Sequence, residues 1–256
     1  MEEWKMVEVT WLGQMGFLIK AGSSAVCIDY FASPHEARQT PALLKADALR
    51  NMDVFLGTHD HIDHMDHGSW RNWAGMNPSA KFVFPEAHRE KVLADGVAES
   101  NALGMNDGDT VKVGEVTIHA VAAAHEFLDL DPQTGLYPYL QYIMEADGVR
   151  IHHAGDTVRY EGMLPKLRAF GEIDLQLLPI NGRDAVRYRR NCIGNMTYQE
   201  AADLAGETGA AMVIPGHWDM FADNSEDPRR FADYLEVKYG GRIKCVIPKV
   251  METIRI

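Results

Sequence analysis

Four side chains that can bind a transition metal fall within six residues: His59, His61, Asp63 and His64, in the segment THDHIDH, 58–64. They follow an apolar stretch, DVFLG at 53–57, that reads as a short buried strand. In an extended or loop segment, residues i and i+2 point the same way, so His59 and His61 can share one ion. A chain that turns into a helix after Ile62 presents Asp63 and His64 to a second position nearby. Imidazole with carboxylate suits Zn²⁺, Mn²⁺ or iron. Structural zinc sites favour thiolates, and this motif has none, so the expected site leaves a position open for water. A solvated histidine-rich loop is the competing reading. Four ligand-type side chains in six residues after an apolar strand argue against it.

A second constellation is cationic. The chain carries 37 acidic and 25 basic residues, a net charge of −12, yet Arg183, Arg187, Arg189 and Arg190 fall within eight positions. They follow the strand-like IDLQLLPI and a bend at Asn181 and Gly182. Guanidinium forks fit phosphate or carboxylate oxygens. Asn181, Tyr188 and Asn195 add hydrogen-bonding capacity. A solvated basic loop, or a contact between copies in a homo-oligomer, would use the same residues. Trp218, Met220 and Phe221 are candidates for a pocket wall or for core packing. Among the other histidines, His88 and His119 are expected to be solvated. His67, three residues after His64, is a candidate outer partner of the metal site. His152 and His153 point to opposite faces of one strand, and one of them is a candidate outer partner too.

The elements that must position these groups are legible in outline. VEVTWL, GFLIKA and AVCIDY form a β-meander, and KFVFP a strand followed by the helix EAHREKVLA. DGDTVKVGEVTIHAVAAA has the alternation and glycine turn of a hairpin. YLQYIMEA and VRIHHAG are strands joined at Asp147 and Gly148. The last third alternates: IDLQLLPI is a strand and TYQEAADLAGETG a helix with a Thr197–Glu200 capping box and Gly209 at its end. AAMVIPG is a strand, DPRRFADYLEVKYGG a helix with Asp227 as N-cap and Pro228 at N1, and KCVIP a closing strand. Two packed sheets with helices outside both fit this order.

The 256 residues, 46% of them hydrophobic, suit a single domain spanning 1–256, with no repeat or linker. No apolar run is long enough for a membrane span. The start, MEEWKM, is acidic and polar, unlike a secretory signal. Three scattered cysteines, Cys27, Cys192 and Cys245, suggest neither a disulfide framework nor a CxxC zinc site, and so a reducing cytoplasm. The acidic balance disfavours a nucleic-acid partner.

THDHIDH resembles the HxHxDH signature of the metallo-β-lactamase superfamily, and later motifs stand in the matching order. His125 ends the apolar run AVAAAH, Asp156 lies in HAGDT, and His217 ends VIPGH. The resemblance implies an α/β (α+β) fold, the four-layer αββα sandwich. It implies one ion on His59, His61 and His125, a second on Asp63, His64 and His217, and Asp156 between them. One or two Zn²⁺ or Mn²⁺ ions per chain are expected. More narrowly, WLGQMGFLIK, NDGDTVKV, LPINGR, GNMTYQEAADLAGETGA and VIPGHWDMF resemble the L-ascorbate-6-phosphate lactonase family. That implies a metal-dependent hydrolase opening a small anionic lactone, such as that of a phosphorylated sugar, with Asp63 accepting a proton from the activated water. Phosphodiester hydrolysis at the same metals is the alternative chemistry. A non-catalytic metal-binding protein is the alternative class.

Overall fold

The computed structural model describes residues 6–256. The start read above as no secretory signal, MEEWKM, thus lies outside the described residues except for Met6. The chain begins with three antiparallel strands, β1 (Val7–Gly13), β2 (Gly16–Ala21) and β3 (Ser24–Ile28). Parallel additions follow: β4 (Val54–Leu56), β5 (Lys81–Pro85) and β6 (Ala102–Met105). Helices α1 (His67–Met76) and α2 (Arg89–Ala94) make the crossovers. The second sheet repeats the plan. Antiparallel β7 (Thr110–Val113), β8 (Val116–Ala122), β9 (Leu140–Ala146) and β10 (Val149–His153) come first. Then β11 (Leu175–Pro179), β12 (Met212–Gly216) and β13 (Lys244–Cys245) add in parallel. Their crossovers carry α3 (Met163–Arg168), α4 (Ala185–Arg189), α5 (Tyr198–Thr208) and α6 (Pro228–Tyr239). Finally β14 (Thr253–Arg255) returns to pair with β1, so each sheet has seven strands.

Period-two side-chain alternation builds the layers. Val26, Ile28, Val54, Leu56 and Val83 face Leu175, Leu177 and Ile214 across the space between the sheets. Their neighbours Cys27, Phe55, Phe82 and Phe84 point outward, under Trp70 and Trp73 of α1. On the far side Leu178 and Val213 meet Ala201 and Leu204 of α5 and Phe231 of α6. Helices, two sheets and helices thus stack as the expected αββα sandwich.

The capping reading holds in detail. Thr197 and Glu200 form a reciprocal capping box, and Gly209 ends α5 with φ 75°. Asp227 caps α6 with Pro228 in its first turn. Three features differ from the sequence reading. β6 and β14 are additional strands, and the closing strand is only Lys244–Cys245. The arginine-rich stretch contains a helical turn, α4, capped by Asp184, whose side chain accepts from Val186 and Arg187 N–H groups.

The pairing directions put the ends of β1, β3, β4, β8, β10, β11 and β12 on one edge of the sandwich. Hydrogen bonds tie the two sheets together there. Leu140 N–H donates to Thr58 O at 3.0 Å and His217 N–H to Gln14 O at 3.2 Å. Tyr142 Oη donates to Gly57 O at 3.0 Å.

Candidate metal centre

Seven side chains converge on that edge. Past β4, the chain makes a tight turn in which His61 N–H donates to His59 O and the His64 and Met65 N–H groups donate to His61 O. The turn, rather than an extended segment, brings the two rings together: His59 Nε2 and His61 Nδ1 are 2.9 Å apart. His125, three residues past β8, places Nε2 3.3 Å from His61 Nδ1. Asp63 and His64 face the other way, with His64 Nε2 3.5 Å from Asp63 Oδ2. His217 follows β12 and sets Nε2 3.6 Å from the same Asp63 oxygen. Asp156 lies between the groups, with Oδ2 3.1 Å from His217 Nε2 and 3.5 Å from His125 Nε2, and Oδ1 3.3 Å from His64 Nε2.

These spacings fit a divalent transition ion. Ligands at 2.0–2.1 Å from a tetrahedral centre lie roughly 3.3 Å from one another. The trios His59–His61–His125, His59–His64–Asp156 and Asp63–His64–His217 each keep their ligand atoms within 4.8 Å. His64 Nε2, His125 Nδ1 and Asp156 Oδ1 are buried and have no hydrogen-bond partner. Buried polar atoms left unpaired are costly, and a cation accounts for His64 Nε2 and Asp156 Oδ1 together. The set is all imidazole and carboxylate, which suits zinc, manganese or iron.

A second ring of residues holds the ligands. Asp29, at the end of β3, accepts from His64 Nδ1 at 2.7 Å and from Thr58 Oγ1 at 2.6 Å. That fixes the His64 tautomer with Nε2 toward the site. His153 Nε2 donates to Met15 O at 2.8 Å, and its Nδ1 accepts from Gly155 N–H at 3.1 Å, which supports the Asp156 turn. Gly155 has φ +56°, and a Cβ there would lie 2.8 Å from Thr58 Cβ, so the turn needs glycine. Gln14, in the β1–β2 turn, donates from Nε2 to Asp63 Oδ2 at 2.8 Å. Tyr139 stands edge-on to His125 and tilted to His59, at 5.4 Å from each ring, and walls the more open side.

Charge divides the site. Burial pushes the His59 pKa well below the usual imidazole value, and His64 reinforces the shift. His61 moves the same way through burial and His125. Burial also opposes the His64 cation, but Asp156, Asp63 and Asp29 outweigh it and hold its pKa well above the usual value. For His217, Asp156 and Asp63 outweigh burial. Asp63 and Asp156 stay below the ordinary carboxylate range because, against burial, His64 and His217 favour their anions.

The remaining sequence candidates have other partners. Arg183 forms a two-pronged pair with Glu200, Nη1–Oε2 2.6 Å and Nη2–Oε1 2.8 Å, and also bonds Asn195 O. Arg187 donates to Asn181 O and to Ser225 O. Arg190 meets Asp223 at 3.3 Å on the surface, while Arg189 is exposed. Asn181 and Asn195 are buried and bond each other at 3.0 Å. His67 bonds Asp60 and Asp95, not His64. His88 is half-buried and bonds Pro138 O, and His119 bonds Thr110, so neither is simply solvated. His152 lies in a buried network with Gln141 and Gln176. Trp218 is a packing residue, stacked on Trp11 at 5.2 Å. Met220 is buried, and Phe221 packs near Phe31 and His35.

Comparison with known proteins agrees with this fold. Residues 17–218 match the family model described as the beta-lactamase superfamily domain. The chain is 33% identical to a UPF0173 metal-dependent hydrolase of Pyrococcus furiosus over 252 residues, 98% of this chain and 100% of that protein. Among solved structures it resembles Igni18, a metallo hydrolase of Ignicoccus hospitalis, with 22% identity, a TM-score of 0.75 and 98% of each chain covered. It also resembles an isothiocyanate hydrolase from Delia radicum gut bacteria, with 17% identity, a TM-score of 0.76, and 96% and 98% of the two chains covered. Both structural likenesses show the shared fold.

Proposed function

This chain belongs to the UPF0173 family of metal-dependent hydrolases, within the β-lactamase superfamily, and on that premise we propose that it hydrolyses a small lactone or a related carboxylic ester. The observation that carries the reading is Asp63, a buried carboxylate of the inner ligand group whose Oδ2 lies 3.5 Å from His64 Nε2 and 3.6 Å from His217 Nε2. Bound at His59, His61, His125, Asp63, His64, Asp156 and His217, divalent Zn²⁺ or Mn²⁺ would supply Lewis acidity and make water a nucleophile near neutral pH. Asp63 is placed to accept the water's proton and to pass it to the leaving alkoxide. Gln14 keeps that carboxylate from turning. Tyr139 stands beside the His59, His61 and His125 rings on the open side.

The arginines favour an ester over a phosphodiester. In phosphodiester hydrolysis at the same metals the arginines would sit close to the scissile phosphate. Arg183 and Arg187 instead hold Glu200 and backbone carbonyls of their own loop. Arg189 is the residue left to meet a remote phosphate or carboxylate of an anionic lactone. The same exposed face, with Val186 and Tyr188, is the alternative contact in a homo-oligomer. No helix among the described residues is long and apolar enough to cross a membrane. The cysteines are free, in keeping with the reducing cytoplasm we propose.

A panel of neutral lactones, phosphorylated lactones, phosphodiesters and thioesters, assayed with Zn²⁺ or Mn²⁺, tests the reading. Lactone or ester turnover is expected. Arg189→Ala should raise KM for the phosphorylated lactone and leave the neutral one unchanged. Turnover of phosphodiesters alone would overturn the assignment.

A further inference from the structure

We propose that Gln14 is a positioning residue that fixes Asp63 and thereby tightens metal binding in the Asp63–His64–His217 pocket. The inference rests on the metal-centre reading above. Gln14 sits in the turn between β1 and β2, distant in sequence from every ligand, and only 1% of its surface is exposed. Its Nε2 donates to Asp63 Oδ2 at 2.8 Å, closer than His64 Nε2 at 3.5 Å or His217 Nε2 at 3.6 Å to the same oxygen. The same nitrogen lies 3.1 Å from His217 Nε2 and 3.3 Å from His217 Nδ1. One amide thus touches two of the pocket's three ligands.

The local backbone makes this choice of residue informative. Gln14 has φ 55°, in the left-handed region where glycine, asparagine and aspartate are the usual occupants. Such a backbone is strained for glutamine and points to a function when its surroundings hold it in place. Here they do. Gln14 N–H donates to Asp219 Oδ1 at 2.9 Å, and its carbonyl accepts from His217 N–H at 3.2 Å and Trp11 Nε1 at 3.1 Å. A second unfavourable feature sits on the same side chain: Oε1 is buried with no hydrogen-bond partner. Asparagine would relieve the backbone strain, but its amide falls about 1.5 Å short, the length of one carbon–carbon bond. The turn alone gives no reason for glutamine. Reach to Asp63 does.

With Gln14 on Oδ2, the Asp63 carboxylate cannot swing away from His64 and His217. Partners of this kind usually change metal affinity 10–100-fold when removed. The experiment compares wild type, Gln14→Asn and Gln14→Met by titrating Zn²⁺ against a chromophoric chelator, and by thermal unfolding of the metal-free proteins. His217→Ala and His125→Ala identify which equivalent belongs to which pocket. Expected is a loss of roughly 10–100-fold in affinity for the His217-dependent equivalent in both Gln14 variants, with the His125-dependent equivalent unchanged. Metal-free Gln14→Asn should unfold at the wild-type temperature or above it, because asparagine suits the turn. Unchanged affinity in both variants overturns the proposal. So does weakening of both equivalents in step with a lower unfolding temperature, and so does a wild-type chain with no His217-dependent equivalent. A wild-type chain that binds no Zn²⁺ at all instead removes the metal centre itself.

Discussion

His59, His61 and His125 meet beside solvent: His61 is exposed, and Tyr139 provides the wall. Asp63, His64 and His217 meet in the interior, where Asp29 grips His64 and Gln14 grips Asp63. Three residues with left-handed backbones, Gln14, Asp29 and His217, surround this inner pocket. Strained backbone gathers where geometry must be imposed. The outer trio is all imidazole, with His59 and His61 biased to the neutral, ligating form. The inner trio carries Asp63, the carboxylate we propose takes the proton. On that proposal the outer trio holds an ion and the inner one reacts with what the ion presents.

The sharpest way to break that contrast is Asp63→Asn. The amide still offers an oxygen but accepts no proton, so turnover should fall by about 10²–10⁴-fold while the metal content stays near wild type. Steady-state kinetics alongside metal analysis decide it, and near-normal turnover would deny the inner pocket its reactive role. A smaller effect is expected from Asp29→Asn. Loss of the His64 partner should weaken the inner equivalent by roughly 10–100-fold. Tyr139→Phe, on the open side, should leave both affinities unchanged. Equal responses in a Zn²⁺ titration would erase the distinction between the pockets.

The outer loop is secured differently, by charge. His67 Nε2 bonds Asp60 at 2.6 Å, Nδ1 bonds Asp95, and Lys91 also meets Asp60, the residue between His59 and His61. Asp60 chiefly raises the His67 pKa, to about 9; burial opposes the shift and Asp95 assists it. Because the folded value lies above the unfolded one of about 6.5, the stabilisation is complete below pH ~6.5 and is lost as pH rises through about 9. His67→Ala should therefore destabilise the protein on the order of 1 kcal/mol at pH 6. Denaturant midpoints of the variant and wild type should converge near pH 10.

The ligand motif was readable because four candidate ligands crowd into six residues, and the layers because Val26, Cys27 and Ile28 or Val54, Phe55 and Leu56 alternate faces. Asp29 was not readable as a partner of His64. One aspartate closing a strand looks like a turn former, and its role exists only through a contact across 35 positions. Gln14 was hidden for the same reason, 49 positions from Asp63. The partner of Arg183 was not readable, because charge counting cannot see Glu200, which faces it from the first turn of α5. β14 escaped notice because only Ile254 of its three residues is buried, too short a run to show alternation.

That short strand ties together the two ends of the described chain. Glu8, Val9 and Thr10 of β1 pair with Arg255, Ile254 and Thr253, and the Thr10–Thr253 hydroxyl bond spans 243 positions. A contact of such sequence separation forms only after a large loop has closed, which slows folding. During synthesis this edge of β1 stays bare until β14 emerges. Unpaired edges of this kind recruit strands from other chains. The outer edge of the hairpin that carries Gln14 therefore stays unsheltered until β14, 243 positions further along at the Thr10–Thr253 contact, has been made.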